Sequence, residues 1–191
     1  MIPKLLDEVY RLSGTKQDIS LHLGFLLGLA NRKEVDRIVE FGFRTGVSTT
    51  ALLASGKPVI TIDPDPECRK HVKRLQNFGG LLTWFQASSL ESAGWQCDLL
   101  HIDSLHTYSQ LRQELKLHQH RVTRWIAMHD TTTFADKGKD GSKPGLQAAI
   151  DEFLSANRQW RLCMHLPHNN GMTLLERSIT PSATATTDLP G

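Results

Sequence analysis

The chain reads as one α/β domain: a seven-stranded, mostly parallel sheet with helices on both faces and an antiparallel hairpin at its C-terminal end. Three observations predict this. Short β-branched runs alternate with segments of helical periodicity, as parallel strands joined by helical crossovers require. Four of the first five runs carry acids at or beside their ends, at Glu40, Asp63, Asp103 and His129-Asp130. That would line one edge of a parallel sheet with like groups, at the carboxyl ends of strands where such folds bind ligands. Finally, two strand-like runs flank the turn residues 167 to 171, Pro-His-Asn-Asn-Gly, which is hairpin chemistry.

In order, residues 2 to 12 place Leu5, Leu6, Val9 and Leu12 on one helical face, and Ser13-Gly14 stops that helix. A second helix starts near Asp18 or Ser20 and runs to Asn31; its nearly continuous apolar residues suit a core or a dimer interface equally well. Residues 37 to 41 form the first strand, and 45 to 54 a helix ended by Ser55-Gly56. Residues 59 to 63 are the second strand, closed by Pro64, followed by a solvated helix over 66 to 77 with Val72 and Leu75 inward. The third strand covers 81 to 86, and 87 to 95 is a loop or short helix. A fourth strand spans 97 to 103, a helix 108 to 122, and a fifth strand 124 to 129. The Lys/Gly-rich stretch 131 to 145 reads as a long mobile loop, either a lid favouring an anionic acceptor or a solvated connector. A helix over 146 to 157 and strands at 160 to 166 and 172 to 175 complete the domain, which spans 1 to 177 with its leading helices in 1 to 31. The Ser/Thr/Ala/Pro-rich residues 178 to 191 are expected to be a disordered tail.

Composition narrows the class. With 191 residues, one full core fits and two do not. A net charge of +2 provides no dense basic footprint, so nucleic acid is not expected as a partner. The three cysteines, at 68, 97 and 163, are odd in number and widely spaced, which argues for reduced thiols and against a disulfide scaffold or zinc site. No apolar run approaches the ~20 residues that span a bilayer, and acids interrupt the start where a signal peptide needs an apolar stretch. A cytoplasmic location, no membrane, and a small-molecule ligand are expected, with homo-oligomerisation left open.

Residues 38 to 50 organise the chemistry. A β-branched run reaches Glu40, glycines follow at 42 and 46, and a Ser/Thr-rich segment opens a helix. Glycine admits a ligand to the backbone, and the helix start offers free N–H groups. Glu40 would repel a pyrophosphate and suits a cationic or hydroxyl-bearing ligand. Asp63, 21 residues beyond Gly42, has the spacing of an acid that binds ribose hydroxyls. Nicotinamide cofactors fit less well, because G-x-G-x-x-G is absent and Tyr108 is followed by Arg112 where a Tyr-x-x-x-Lys pair would need lysine. Of the other histidines, His118, His120, His165 and His168 are expected to be ordinary surface residues. Trp84, Trp95, Trp125 and Trp160 are expected in or near the core.

Val39-Glu40-Phe41-Gly42-Phe43-Arg44-Thr45-Gly46-Val47-Ser48 resembles the first motif of class I S-adenosylmethionine-dependent methyltransferases. His101-Ile102-Asp103-Ser104-Leu105-His106-Thr107-Tyr108 and Ala127-Met128-His129-Asp130-Thr131 resemble the small-molecule O-methyltransferase branch. That branch includes macrolide sugar O-methyltransferases and cephalosporin hydroxylase-like proteins, and the likeness covers roughly residues 18 to 176. It implies a Rossmann-like methyltransferase fold and O-methylation of a small hydroxylated molecule. By position, Glu40, Gly42, Gly46 and Ser48 would wall the methionine portion of S-adenosylmethionine. Asp63 would hold the ribose, Ser88 would lie by the adenine, and Asp103 would also border the cofactor. Asp103 and Asp130 match ligands of a divalent cation, with Mg²⁺ the candidate, and His106 matches the general base, with Asp103 its catalytic companion. His129 stands where some relatives carry a second acid, and Ser104 where glycine is common. A hydroxyl is a poor nucleophile at neutral pH, so a cation that acidifies it and an imidazole that takes its proton suit the reaction. The alternatives are other chemistry on the same scaffold, or a cofactor-binding module without turnover.

Overall fold

The computed structural model describes residues 1–178. The tail expected beyond the last strand therefore lies outside the described residues, apart from Ser178. Seven strands form one sheet in the order β3-β2-β1-β4-β5-β7-β6. Their ranges are β1 Ile38–Phe41, β2 Val59–Ile62, β3 Leu82–Phe85, β4 Cys97–Ile102, β5 Val122–His129, β6 Trp160–Leu166 and β7 Met172–Arg177. The first five are parallel, while β7 runs antiparallel between β5 and β6. Strand order reverses between β1 and β4, so the crevice at the carboxyl ends of these two strands is the expected ligand position.

Two cores enclose the sheet. On one face, α1 (Pro3–Ser13), α2 (Leu23–Ala30), α3 (Val47–Ala54) and α4 (Cys68–Asn77) cover Ile38, Val59, Leu99 and Trp125. On the other, α5 (Tyr108–His118) and α6 (Leu146–Ala156) cover Val39, Phe41, Leu100, Ile126 and Leu175. The alternation along each strand delivers successive residues to opposite cores. The second helix of the sequence is a core element: Leu23, Leu26 and Leu29 are buried, each contributing roughly 1.5–3 kcal/mol of burial. No helix among the described residues is long and apolar enough to cross a membrane.

Several boundaries differ from expectation. The second helix opens as a 3₁₀ turn over Ser20–His22 before α2 begins. The helix expected to reach 122 stops at His118, because Gln119 turns to bind Asn157, Gln159 and Trp160, and Val122 already pairs with Cys97 in the sheet. His118, expected on the surface, is buried between the rings of Phe41 and Trp95, and its Nε2 donates to the carbonyl of Ser89. The stretch 131 to 145 is not a free loop. Phe134 and Lys139 N–H groups donate to the carbonyls of Asp130 and His106, and Leu146 N–H donates to that of Phe134.

Candidate active site

A cavity of about 630 Å³ opens at the carboxyl ends of β1, β2, β4 and β5, within the range of small-molecule and cofactor sites. Its wall includes Gly42, Ser48, Asp63, Ser88, Asp103, His106 and Asp130. Glu40 and Gly46, expected to wall the methionine portion of the donor, are not among the residues that line it. The strand continues one residue past Glu40 to Phe41, so the period of two turns Glu40 onto the sheet face beneath α3 instead of to the rim. There it is fully buried, accepting from Ser48 Oγ at 2.6 Å and Thr49 Oγ1 at 2.5 Å, with His101 Nδ1 at 3.3 Å. Gly46 has φ +77°, and a Cβ there would press on the Phe43 ring and Leu75, so its smallness serves packing at the start of α3.

Asp63 builds the turn it faces. Its Oδ2 accepts from the N–H groups of Phe43 at 2.8 Å and Arg44 at 2.9 Å, while Oδ1 accepts from Asp65 N–H. The acid thus holds the β1–α3 turn in place and still borders the cavity. Arg44, in the left-handed region at φ 51°, reaches across to Asp18 at 3.0 Å, joining the turn to the leading segment.

Two strand ends, those of β4 and β5, meet in a charged cluster. His106 Nε2 lies 3.0 Å from Asp103 Oδ1 and 3.0 Å from Asp130 Oδ2. His129 Nδ1 lies 3.5 Å from Asp103 and 3.4 Å from Asp130, and its Nε2 donates to the carbonyl of Asn169. Asp130 takes φ 61°, an uncommon backbone for a residue other than glycine. The environments separate the two carboxyls. Burial raises the pKa of Asp130, against the opposing pull of the two histidines. Burial also acts on Asp103, but hydrogen bonds from His106 and His129 outweigh it and hold that carboxyl well below its usual range. Burial works against the His129 imidazolium too, yet the hydrogen bond to Asp103 and the two carboxylate charges raise its pKa. Pairs driven apart in this way mark acid/base sites. Asp103, His129 and Asp130 offer ligand atoms within 4.8 Å of one another, a set that could hold a metal ion.

Sequence reasoning missed part of the wall: Gln17 and Asp18 from the leading segment, Ser89, Gln110, Phe134 and Asn170. Phe134 stacks on the His106 ring at 5.1 Å between centroids. Ser104, the departure from glycine, has a partner: its Oγ donates to Glu114 Oε1 at 2.7 Å. Glu114 was legible as a buried acid, because it shares the inward helical face with Leu111, Leu115 and His118.

A family model described as a methyltransferase domain matches residues 39–131. These residues are a methyltransferase domain. They contain Gly42, Asp63, Ser88, Asp103, His106 and Asp130, so the model covers most of the cavity wall described above. No curated protein matches the sequence significantly. Among solved structures, the chain is similar to an O-methyltransferase from Bacillus cereus in complex with S-adenosylhomocysteine, with 16% identity, 91% of this chain and 90% of that one covered, and a TM-score of 0.67. It is also similar to the O-methyltransferase TomG from Streptomyces achromogenes, involved in tomaymycin synthesis and complexed with S-adenosylmethionine, with 15% identity, coverage of 84% and 81%, and a TM-score of 0.67. The N-methyltransferase NodS from Bradyrhizobium japonicum, complexed with S-adenosylhomocysteine, matches with 15% identity, coverage of 92% and 98%, and a TM-score of 0.64. The methyltransferase domain therefore has the expected Rossmann-like class I fold, and that fold serves both oxygen and nitrogen acceptors.

Proposed function

We propose that the methyltransferase domain transfers the methyl group of S-adenosylmethionine to a hydroxyl oxygen of a small molecule. The observation that carries this reading is the contact of His106 with both Asp103 and Asp130 in the cavity that also holds the Gly42 turn, Asp63 and Ser88. A nucleoside donor fits the Gly42–Asp63–Ser88 side. The two cofactor-bearing O-methyltransferases support the donor, and the acid–imidazole cluster supports oxygen over nitrogen, since a neutral amine needs no base of this kind to be nucleophilic.

In this scheme the acceptor hydroxyl enters between His106 Nε2 and Asp130, replacing their contact. Its oxygen attacks the methyl carbon in line with the C–S bond. The bonding pair leaves with sulfur, the sulfonium becomes the neutral thioether of S-adenosylhomocysteine, and the hydroxyl proton passes to His106. This step needs the Nδ1–H tautomer, in which Nε2 is free to take the proton, and Asp103, 3.0 Å from Nε2, then stabilises the imidazolium that forms. Phe134, stacked on the ring, limits its rotation.

The residues present fit a divalent cation: two carboxylates and an imidazole converge with ligand atoms within 4.8 Å of one another, and Asp130 Oδ1 is buried without a hydrogen-bond partner among the described residues. Asp103 and Asp130 would hold it, with His129 Nδ1 as a third donor. Imidazole is a weak ligand for Mg²⁺ and a good one for softer divalent ions, so the set suits such ions at least as well. When bound, the ion would lower the pKa of the acceptor hydroxyl.

Calorimetric titration of S-adenosylmethionine tests the donor, with and without Mg²⁺, on wild type and Asp63→Ala. We expect binding to the wild type and a loss of at least about tenfold in the variant, because the Phe43–Arg44 turn loses its anchor. No binding to the wild type would sink the scheme. For the chemistry, His106→Ala and Asp103→Asn should reduce turnover with any accepted hydroxyl substrate by about 10²–10⁴-fold while donor affinity changes little. Turnover that survives both changes would return the site to other chemistry.

A further inference from the structure

One ring nitrogen of His106 has no part in the scheme above. Nε2 faces Asp103 and Asp130, but Nδ1 is buried and has no hydrogen-bond partner among the described residues. A second buried atom shares that condition. Glu114 is fully buried, and its Oε1 accepts from Ser89 Oγ at 2.6 Å, Ser104 Oγ at 2.7 Å and Gln110 Nε2 at 2.9 Å. Its Oε2 has no partner among the described residues.

His106 and Glu114 border the same small space. A cavity of about 10 Å³ is lined by these two residues and Ser104, together with the apolar side chains of Ile102, Leu111 and Met128. That volume is on the order of what one water requires, and an internal water needs at least two polar partners. Nδ1 and Oε2 are such a pair. Folded proteins satisfy nearly all of their buried polar atoms, through ordered water where no protein group reaches.

We propose that one internal water joins His106 Nδ1 to Glu114 Oε2, and that Glu114 is thereby the positioning residue for the base. This rests on the methyl-transfer reading given above. The direction of the two bonds follows from the groups. A carboxylate only accepts, so the water gives a hydrogen to Oε2 and turns a lone pair to Nδ1. Nδ1 then carries the ring hydrogen, and Nε2 is the nitrogen left to take the proton of the acceptor hydroxyl, which is the tautomer the reaction needs. Burial raises the pKa of Glu114, against the pull of its three donors and the His106 charge. The water's hydrogen adds a fourth bond that favours the anion. With Phe134 stacked on its face and the water at its edge, the ring is held from two directions.

Nitrogen-15 NMR of the histidine-labelled full chain, with a chelator present, tests the assignment, and His106→Ala identifies the signal by its loss. In the wild type at neutral pH, His106 Nδ1 should show a one-bond coupling to hydrogen. Glu114→Gln is nearly isosteric and keeps its three donors on the amide oxygen, but it turns an N–H toward the water. The water must then answer with a lone pair and turn a hydrogen to Nδ1, so the coupling should be lost. Turnover of any accepted hydroxyl substrate should fall by about 10- to 100-fold with KM unchanged, short of the loss of the base itself. A merely structural role would weaken the fold without moving the ring hydrogen. A high-resolution crystal structure of the wild type should also show a water between the two atoms. A wild type without that water or without the coupling, or a Glu114→Gln protein that keeps the coupling, overturns the proposal. None of these results touches the methyl-transfer reading, which fails separately if S-adenosylmethionine does not bind the wild type.

Discussion

Gly42 has φ +88°, and a Cβ on it would collide with the carbonyl of Asp103, so the first turn and the fourth strand's end touch backbone to backbone. The glycine lets the end of β1 approach the end of β4. Gly42→Ala should therefore destabilise by about 3 kcal/mol or more, since both strain and backbone collision must be relieved. Urea unfolding of the variant checks this, and its donor affinity should fall in parallel as the β1–α3 turn that Asp63 anchors is displaced. At this scale the sequence was informative wherever an acid lies one residue beyond a strand. Asp63, Asp103 and Asp130 reach the cavity wall for that reason. Glu40 lies one residue short of its strand's end, and that single step sends it under α3; nothing local in the sequence distinguishes the two cases. His118 misled for a different reason, because its neighbours Lys116, Leu117 and Gln119 are polar or exposed while its own face of the helix turns inward.

Among the elements, the segment from 131 to 145 shows how far local composition can mislead. Its glycines and lysines resemble a solvated connector, but its anchors are distant in sequence: Lys139 N–H donates to the His106 carbonyl, and Thr132 and Thr133 N–H donate to that of Asn170. Those partners are backbone atoms, which carry no sequence signal. The functional consequence falls on Phe134, which backs the His106 ring. Phe134→Ala should lower turnover by about tenfold by freeing the imidazole, at the level of 1–1.5 kcal/mol expected for one lost ring contact. Donor affinity should hold, since Phe134 backs the His106 ring. A fall in donor binding with turnover preserved would contradict this assignment. Helices and strands were otherwise legible because periodicity reports burial directly, and the whole βα alternation followed from it.

For the molecule as a whole, the face beneath the leading helices holds an unusual polar layer. Thr61, Glu40 and His101 lie side by side across β2, β1 and β4, and His22 and His129 lie in the same buried region. Neither ring nitrogen of His22 has a partner among the described residues, and burial, reinforced by the neighbouring His129, His168 and His101, pushes its pKa down to about 4. The ordinary value is 6.5, so between those two pH values the unfolded chain takes up a proton that the folded chain refuses. Stability is thus complete above pH 6.5 and declines as the pH falls toward 4. The loss attributable to this group is on the order of 3 kcal/mol at the acid end. Urea midpoints at pH 7.5 and 4.5 should accordingly differ less in His22→Leu than in the wild type. An equal difference in both proteins would remove His22 as a source of acid lability.

Asn169 ties the last hairpin to the first part of the chain: its side-chain oxygen accepts from Leu21 N–H, and its amide donates to the Gln17 carbonyl. Its own carbonyl accepts from His129, and Asn170 borders the cavity alongside Gln17 and Asp18. The pocket is therefore enclosed by residues about 150 positions apart in the sequence. A nascent chain that has completed the first five strands already contains every acid of the site, yet it lacks the turn that orients His129 and secures the leading segment. The final hairpin thus completes the wall around the acids that the earlier strands bring together.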